Sequence, residues 1–315
     1  MHHLLKDFLK VTEEAAVKTI PWVGSGDKNS ADDAATTSMR ENLNQIEMNS
    51  IIAIGEGELD EAPMLYINEE VGTGLGVELD IAVDPIDGTT PTAAGEDNGI
   101  TVIAAAPKGT LLHAPDMYME KLVVGPEAVG KINIDAPLME NVRAVALAKG
   151  KQVDELQVVV QERPRHEEAI AKMREAGVTV HLFKDGDVLQ SLRPCIHGND
   201  IDMFYNIGGA PEGVLSSVAI KSLGGEMQGR LVVRNQEEKK RCVAMGVKNP
   251  TAALRHHDLI ASEQGMFIAT AITNTLYLKG IQEDSTHYQT ESLVVSSLTN
   301  DYQIVKSNHR VLEYV

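Results

Sequence analysis

The stretch DIAVDPIDGTTPTAAG, residues 80–95, decides how this chain is read. It opens as a short apolar run of strand character and turns at once into Asp84, Pro85, Asp87 and Gly88. Carboxylates that close repel unless they share a cation, a proton or a cluster of donors. Pro85 fixes the turn, Gly88 lets backbone approach a bound group with no side chain between, and Thr89 and Thr90 add hydroxyls able to orient a water. In isolation a plain surface turn would account for the same residues, since Asp, Pro and Gly are ordinary turn formers. The placement of the other acids decides between the two.

Working outward, SIIAI is a second short strand that also runs straight into acids, Glu56, Glu58 and Asp60 of GEGELDEAP. Upstream, helical spacing of Leu4, Leu5, Phe8, Leu9, Thr12, Ala15, Ala16 and Ile20 predicts a first helix ended by Pro21. A second helix is predicted over 31–46, with Ala35, Thr36, Met39, Leu43 and Ile46 on one stripe. Asp32 falls on that inward stripe, whereas Asp33, about 100° further round, faces solvent. Three acid clusters thus gather in the first third of the chain. Hard oxygen donors of this kind suit Mg²⁺ or Mn²⁺, which complete their shells with water and phosphate oxygens.

Composition sets the bounds. A chain of 315 residues with 43% hydrophobic residues can fill one large layered domain or two smaller ones. Its 28 basic against 46 acidic residues leave a net charge of −18, which repels nucleic acid and anionic membrane surfaces. The chain has no apolar run of membrane-spanning length, and its N-terminus carries acids where a secretory leader would be apolar, so a cytoplasmic protein is expected. Cys195 and Cys242 lack CxxC spacing and read as plain thiols.

After about residue 150 the texture changes to alternating units: QVVVQ, helical RPRHEEAIAKMREAG, VTVHLF, KDGDVLQSL, IDMFYNIGG and helical EGVLSSVAIKSLGG. This predicts α/β structure on a mainly parallel sheet, with an N-terminal domain over 1–150 and a C-terminal domain over 151–315. NQEEKKRCVAMG reads as a further helix, GMFIATA and SLVVSS as two further strands.

Two motifs mislead. GPEAVGKI, 125–132, has phosphate-loop spacing but places Ile132 where the magnesium-binding hydroxyl belongs, and HEEAI, 166–170, puts Ile170 where a zinc-binding His would stand. His256 and His257 read as surface residues, His113 and His181 as structural ones.

GDKNSADDAA, IAIGEGELDEAPMLYI, VDPIDGT, APDMYMEKL, RPRH, DGDV and GGAPEGVLS occur in this order, and over about residues 10–250 the chain resembles the class II fructose-1,6-bisphosphatases of the lithium-sensitive sugar-phosphatase superfamily. The resemblance implies a layered α/β/α/β/α sandwich of two subdomains with the site at their junction. It implies metal ligands at Asp32, Glu56, Asp84, Asp87 and Glu212, holding two or more Mn²⁺ or Mg²⁺ ions. Substrate contacts carry over to Asp87, Gly88, Thr89, Tyr118, Arg163, Pro164, Arg165, Asp185, Gly186, Asp187 and Gly209. Asp60 and Thr89 would position the attacking water beside Asp84, and Arg163, Arg165 and Lys121 would hold the second phosphate. The expected reaction is metal-dependent release of the 1-phosphate of fructose 1,6-bisphosphate, as in gluconeogenesis, by a homo-oligomer. Sedoheptulose bisphosphate or an inositol monophosphate are alternative substrates, and a sugar-phosphate-binding regulatory protein without turnover is the alternative of another class.

Overall fold

The computed structural model describes residues 1–55 and 65–311. Glu56, Glu58 and Asp60 lie outside the described residues. The chain forms two compact units, one of residues 1–110 and 264–315, the other of 111–263.

The first unit begins with α1 (Leu5–Lys18) and α2 (Lys28–Leu43), close to the helices that the apolar spacing predicts. Asp27 caps α2, its carboxylate accepting from the Ser30 N–H at 3.0 Å. Strands β1 (Ser50–Ile54), β2 (Glu70–Val71) and β3 (Leu79–Asp87) follow, then the short helix α3 (Thr89–Ala94) and β4 (Ile100–Pro107). Phe8, Val11 and Ala15 of α1 and Ala35, Met39 and Leu43 of α2 bury one helix face each against Ile52, Ile81, Val83 and Ile103 of the sheet. Thr12 belongs to the inward stripe because its polar groups are met there: its carbonyl accepts from the Thr101 hydroxyl, and its own hydroxyl from that of Thr270, both at 2.8 Å.

The second unit contains β5 (Tyr118–Val124), α4 (Leu138–Lys149), β6 (Gln157–Gln161), α5 (Glu167–Glu175), β7 (Thr179–Phe183), α6 (Asp187–Ser191), β8 (Met203–Gly209), α7 (Ala210–Ser222), β9 (Glu226–Leu231), α8 (Gln236–Ala244) and α9 (His256–Leu259). Its sheet has the order β7-β6-β8-β5-β9. The sheet is mixed, not mainly parallel: β6 runs parallel to β7 and β8, but β5 is antiparallel to both β8 and β9. The alternation after residue 150 hides this, because β5 comes from before it and inserts between β8 and β9. Val142 and Val145 of α4 and Ile170 and Met173 of α5 pack on one face against Leu122, Val158 and Val160. Helix α7 packs against β5, β8 and β9, its Gly213 close to Met119 and Lys121.

The chain then returns to the first unit as β10 (Met266–Ala271), β11 (Gln282–Glu283), β12 (His287–Ser296) and β13 (Asp301–Arg310). Both predicted late strands form, and β10 pairs with β4 and β12. Among the described residues this sheet has eight strands in the order β11-β12-β10-β4-β3-β1-β2, with β13 on β12. The change of texture near 150 therefore falls inside the second unit, between α4 and β6, and the units part at 110/111 and 263/264 instead. Backbone pairing draws these lines, for ladder hydrogen bonds tie β5 to one sheet and the last four strands to the other. No helix among the described residues is long and apolar enough to cross a membrane.

Both cysteines are buried and neither forms a disulfide. Burial first, then the Glu127 charge, pushes the Cys195 thiol up to about 12, with Lys149 acting weakly the other way. The native protein should therefore resist a thiol reagent near neutral pH and expose two reactive thiols per chain only when denatured. Rapid labelling of Cys195 in the folded protein would contradict its burial.

Candidate active site

In the first unit, strand β3 runs on to Asp87, so Asp84–Asp87 belong to the strand rather than to a turn. Pairing with β4 sets Asp84 opposite Val102 and Asp87 opposite Ile100. Three steps along β3 answer two along β4, which is a one-residue β-bulge. Opposed residues share a face. Val102 and Ile100, two apart, lie on one face, so Asp84 and Asp87 lie on it together, although three steps along a regular strand would send them to opposite faces. Pro85, with no N–H for the ladder, sits inside the bulge, and Ile86 enters the core.

Gly88 then takes φ +89°, and a Cβ there would lie 2.4 Å from the Asn98 carbonyl oxygen. The Asn98 N–H donates to the Asn274 carbonyl at 2.7 Å, and the Gly99 N–H to the Thr273 hydroxyl at 2.9 Å. The segment after β10 thus supports the turn that follows Asp87. The Thr89 hydroxyl donates to the Ile86 carbonyl at 2.8 Å, and Lys28 Nζ donates to the Thr90 hydroxyl at 2.9 Å. Lys28 stands in GDKNS, a motif whose lysine the sequence reading passed over.

Asp32 is half-buried and Asp33 exposed, as the helical spacing predicts. Burial, with the neighbouring Asp33 charge second, raises the Asp32 carboxyl above the ordinary aspartate range. Among the described residues no three of His, Cys, Asp and Glu are grouped so as to hold a metal ion; Glu56 lies outside that set.

In the second unit the RPR stretch leaves β6 and is pinned by His166. The Ile207 N–H donates to its Nε2 at 2.9 Å, so Nδ1 carries the proton and donates to the Gln161 carbonyl at 2.8 Å. Burial holds this imidazole below its ordinary value, with the adjacent arginines adding in the same direction. Arg165 Nε donates to the Ile207 carbonyl at 2.7 Å and Nη2 to Gln161 Oε1 at 2.9 Å, while its guanidinium stacks 4.8 Å from the Tyr118 ring centroid. Both acceptors are neutral. Arg163, by contrast, pairs with Asp185 at 2.5 Å.

Lys121 does not join the arginines. It is buried, pairing with Asp187 at 2.5 Å and donating to the Gly209 carbonyl at 2.9 Å. Asp187 also accepts from Asn206 Nδ2 at 2.9 Å. These two DGD and PDMYMEK residues form a buried pair beneath Gly209, with Gly186 in the left-handed conformation at the start of α6. Pro164 opens the one-turn helix that carries Arg165.

Glu212 stands in the first turn of α7 and folds back over Gly209, where a Cβ would lie 1.8 Å from Glu212 Oε2. That oxygen is buried and has no hydrogen-bond partner among the described residues. Burial first, then the Asp187 charge, raises the Glu212 carboxyl, with Lys121 opposing. A carboxylate oxygen left bare in this way costs about 1–3 kcal/mol unless something meets it, and a divalent cation is the chemistry its charge and hardness fit.

The decoys resolve as expected on physical grounds. The Gly130 N–H of the GPEAVGK stretch is taken by Glu226 at 2.5 Å, an acid where a phosphate would need a donor. His256 is not a surface residue: its Nδ1 accepts from the Met227 N–H at 3.1 Å and its Nε2–H donates to the Ser217 carbonyl at 2.9 Å, tying α9 to β9 and α7.

The sequence pattern of one family, "Bacterial fructose-1,6-bisphosphatase, glpX-encoded", matches residues 2–309. The chain is 45% identical over 316 residues to "Fructose-1,6-bisphosphatase 1 class 2" of Escherichia coli K12, covering 96% of this chain and 94% of the relative. It is 46% identical to "Fructose-1,6-bisphosphatase class 2" of Haemophilus influenzae, covering 96% and 95%. To "Fructose-1,6-bisphosphatase 2 class 2" of Escherichia coli K12 it is 43% identical, covering 98% and 100%.

His166 gives this site a pH signature. Because its folded value lies below the unfolded 6.5, the unfolded chain takes up a proton that the folded one refuses, so stability falls as pH drops below about 6.5. The loss is at most about 1.4 kcal/mol per pH unit. Asp32 and Glu212, being raised, act in the opposite sense, and comparison with His166→Gln cancels them. The variant should lose less stability than the wild type between about pH 7 and 5.5 in urea melts, whereas equal slopes would show that His166 protonates freely in the fold.

Proposed function

This chain belongs to the bacterial fructose-1,6-bisphosphatase family, and from that premise we propose that it hydrolyses the 1-phosphate of fructose 1,6-bisphosphate with the help of Mn²⁺ or Mg²⁺. The observation that carries the reading is the pairing of Asp84 and Asp87 on one face of a strand by the bulge at Pro85. Packing alone does not bring like charges to one face, and a shared cation would offset their repulsion.

Asp32, Asp84, Asp87, Glu212 and Glu56 would hold the ions. Bound there, divalent cations supply Lewis-acid polarisation of the phosphate ester and lower the pKa of a coordinated water. The chain's own groups do the rest. Thr89, whose proton is committed to the Ile86 carbonyl, keeps its oxygen lone pairs free to accept from the water, and Asp60 would take the water's proton. Gly88 lets the backbone approach the reacting phosphate. In the second unit Arg165, with neutral acceptors, offers its charge to the second phosphate, and the Lys121–Asp187 pair fixes the Gly209 carbonyl. A monophosphate substrate would leave Arg165 unmet, which favours a bisphosphate. The compartment proposed is the cytoplasm, in keeping with two buried cysteines that form no disulfide.

The test is phosphate release from fructose 1,6-bisphosphate with Mn²⁺, Mg²⁺ or chelator. Release that requires metal is expected, and Asp84→Asn or Glu212→Gln should cut kcat by about a hundred- to a thousandfold. Near-wild-type activity in either variant would sink the metal assignment. Arg165→Ala should raise KM for the bisphosphate about ten- to a hundredfold, the scale of a lost charged hydrogen bond. Gly209→Ala should keep the fold yet displace the Glu212 carboxylate and weaken metal binding measured by calorimetry; unchanged metal affinity would mean that Glu212 is not a ligand.

A further inference from the structure

Arg234 lies outside every motif considered above, in the segment between β9 and α8. Its guanidinium carbon sits 5.4 Å from the centroid of the Tyr118 ring, the same ring that Arg165 approaches to 4.8 Å. Each cation is attracted to the ring face, but two cations against one ring also repel each other, so other contacts must hold them there. For Arg165 these are the Ile207 carbonyl and the Gln161 amide.

For Arg234 they come from Glu238, buried in the first turn of α8. Arg234 Nε donates to Glu238 Oε1 at 2.8 Å, Nη2 meets the same oxygen at 2.6 Å, and the Arg234 backbone N–H donates to Oε2 at 2.7 Å. Glu238 is itself held, its N–H donating to the Asn235 side chain at 2.9 Å. At the other end of the segment the Val232 N–H donates to the Tyr118 carbonyl at 2.8 Å. The guanidinium direction is therefore set before any ligand arrives, which spares the entropy of ordering a long side chain on binding.

We propose that Arg234 is a specificity-determining residue that grips the non-reacting phosphate together with Arg165 across Tyr118, with Glu238 as its positioning residue. This rests on the reading of the site as one for a sugar bisphosphate. A terminal phosphate carries close to two negative charges at neutral pH. Arg163 pairs with Asp185 and Arg234 with Glu238, so neither adds net charge to that of Arg165, and what Arg234 adds is a second set of directed donors. Glu238 occupies Nε and Nη2 of Arg234 and leaves the Nη1 donors to a ligand, and the side chain stays 59% exposed on the flank of the ring.

The experiment is steady-state kinetics on the full chain with fructose 1,6-bisphosphate, beside calorimetric binding of fructose 6-phosphate, which keeps the phosphate in question. Arg234→Ala should raise KM about tenfold, change kcat by less than about threefold, and weaken fructose 6-phosphate binding in parallel. Arg234→Lys should recover part of the loss, since it keeps the charge and loses the fork. Arg234→Gln gives the same reading should the alanine variant fold poorly. In the double variant with Arg165→Ala, KM should rise by less than the product of the single effects, because both residues hold one phosphate. An active wild type whose KM and fructose 6-phosphate affinity do not move in Arg234→Ala, or effects that simply multiply, would overturn this inference and leave the proposed reaction standing. A wild type inert toward the bisphosphate would overturn both.

Discussion

Electrostatic repulsion between Asp84 and Asp87 is the constraint around which the first unit is arranged. Carboxylates brought to one face repel unless a cation, a proton or a set of donors lies between them. The chain adds one residue to β3, where Pro85 can sit without losing a ladder hydrogen bond, and so turns both carboxylates to one face. The arrangement then needs rigid surroundings. Ile86 anchors the bulge in the core, Thr89 closes back on the Ile86 carbonyl, and Gly88 fits beneath Asn98, which is held by Asn274 from far along the chain.

That last contact explains why the fold was only partly legible. Helices α1 and α2 could be read because burial is periodic along them, and even Thr12 and Asp32 fell on the predicted face. Strands SIIAI, LDIAV, GMFIATA and SLVVSS could be recognised as strands, but neither their partners nor their sheet is written in a local pattern. Pairing is decided by ladder hydrogen bonds between distant segments, so β5 joined a sheet from the far side of the texture change, and β10 and β12 returned to the first unit. The bulge itself was invisible for the same reason: DPID reads as a turn until its partner strand, with its shifted register, is known.

Within the motif segments, the structure gives several side chains contacts that their sequence context does not announce. Lys121 looked like a phosphate ligand because lysine is usually exposed; here it is buried against Asp187 and spends its charge on the support of Gly209. His166 looked like half of a failed zinc motif and is instead the peg that holds the RPR stretch between β6 and β8. Arg234 carried a weak signal in retrospect. Asn235 followed three residues later by Glu238 is a helix-start pattern, and a carboxylate reaching back from that position finds the preceding residue's side chain as well as its N–H. Only the structure shows that the side chain so captured lies against Tyr118.

The choice between an enzyme and a protein that merely binds sugar phosphates turns on Glu212. Arginines stacked on Tyr118 would suffice to hold a phosphate ester, and they need no acid beneath them. Yet the fold keeps Glu212 folded over a residue that has no side chain to obstruct it, with one oxygen buried and unmatched among the described residues, and with the Asp187 charge raising its cost of ionisation. A binding protein would gain stability by replacing that carboxylate with an amide or an apolar group. On the proposed reading a metal-assisted phosphatase would keep it, because a bare carboxylate oxygen is what a divalent cation would meet, and the stability it costs would return as affinity for the ion.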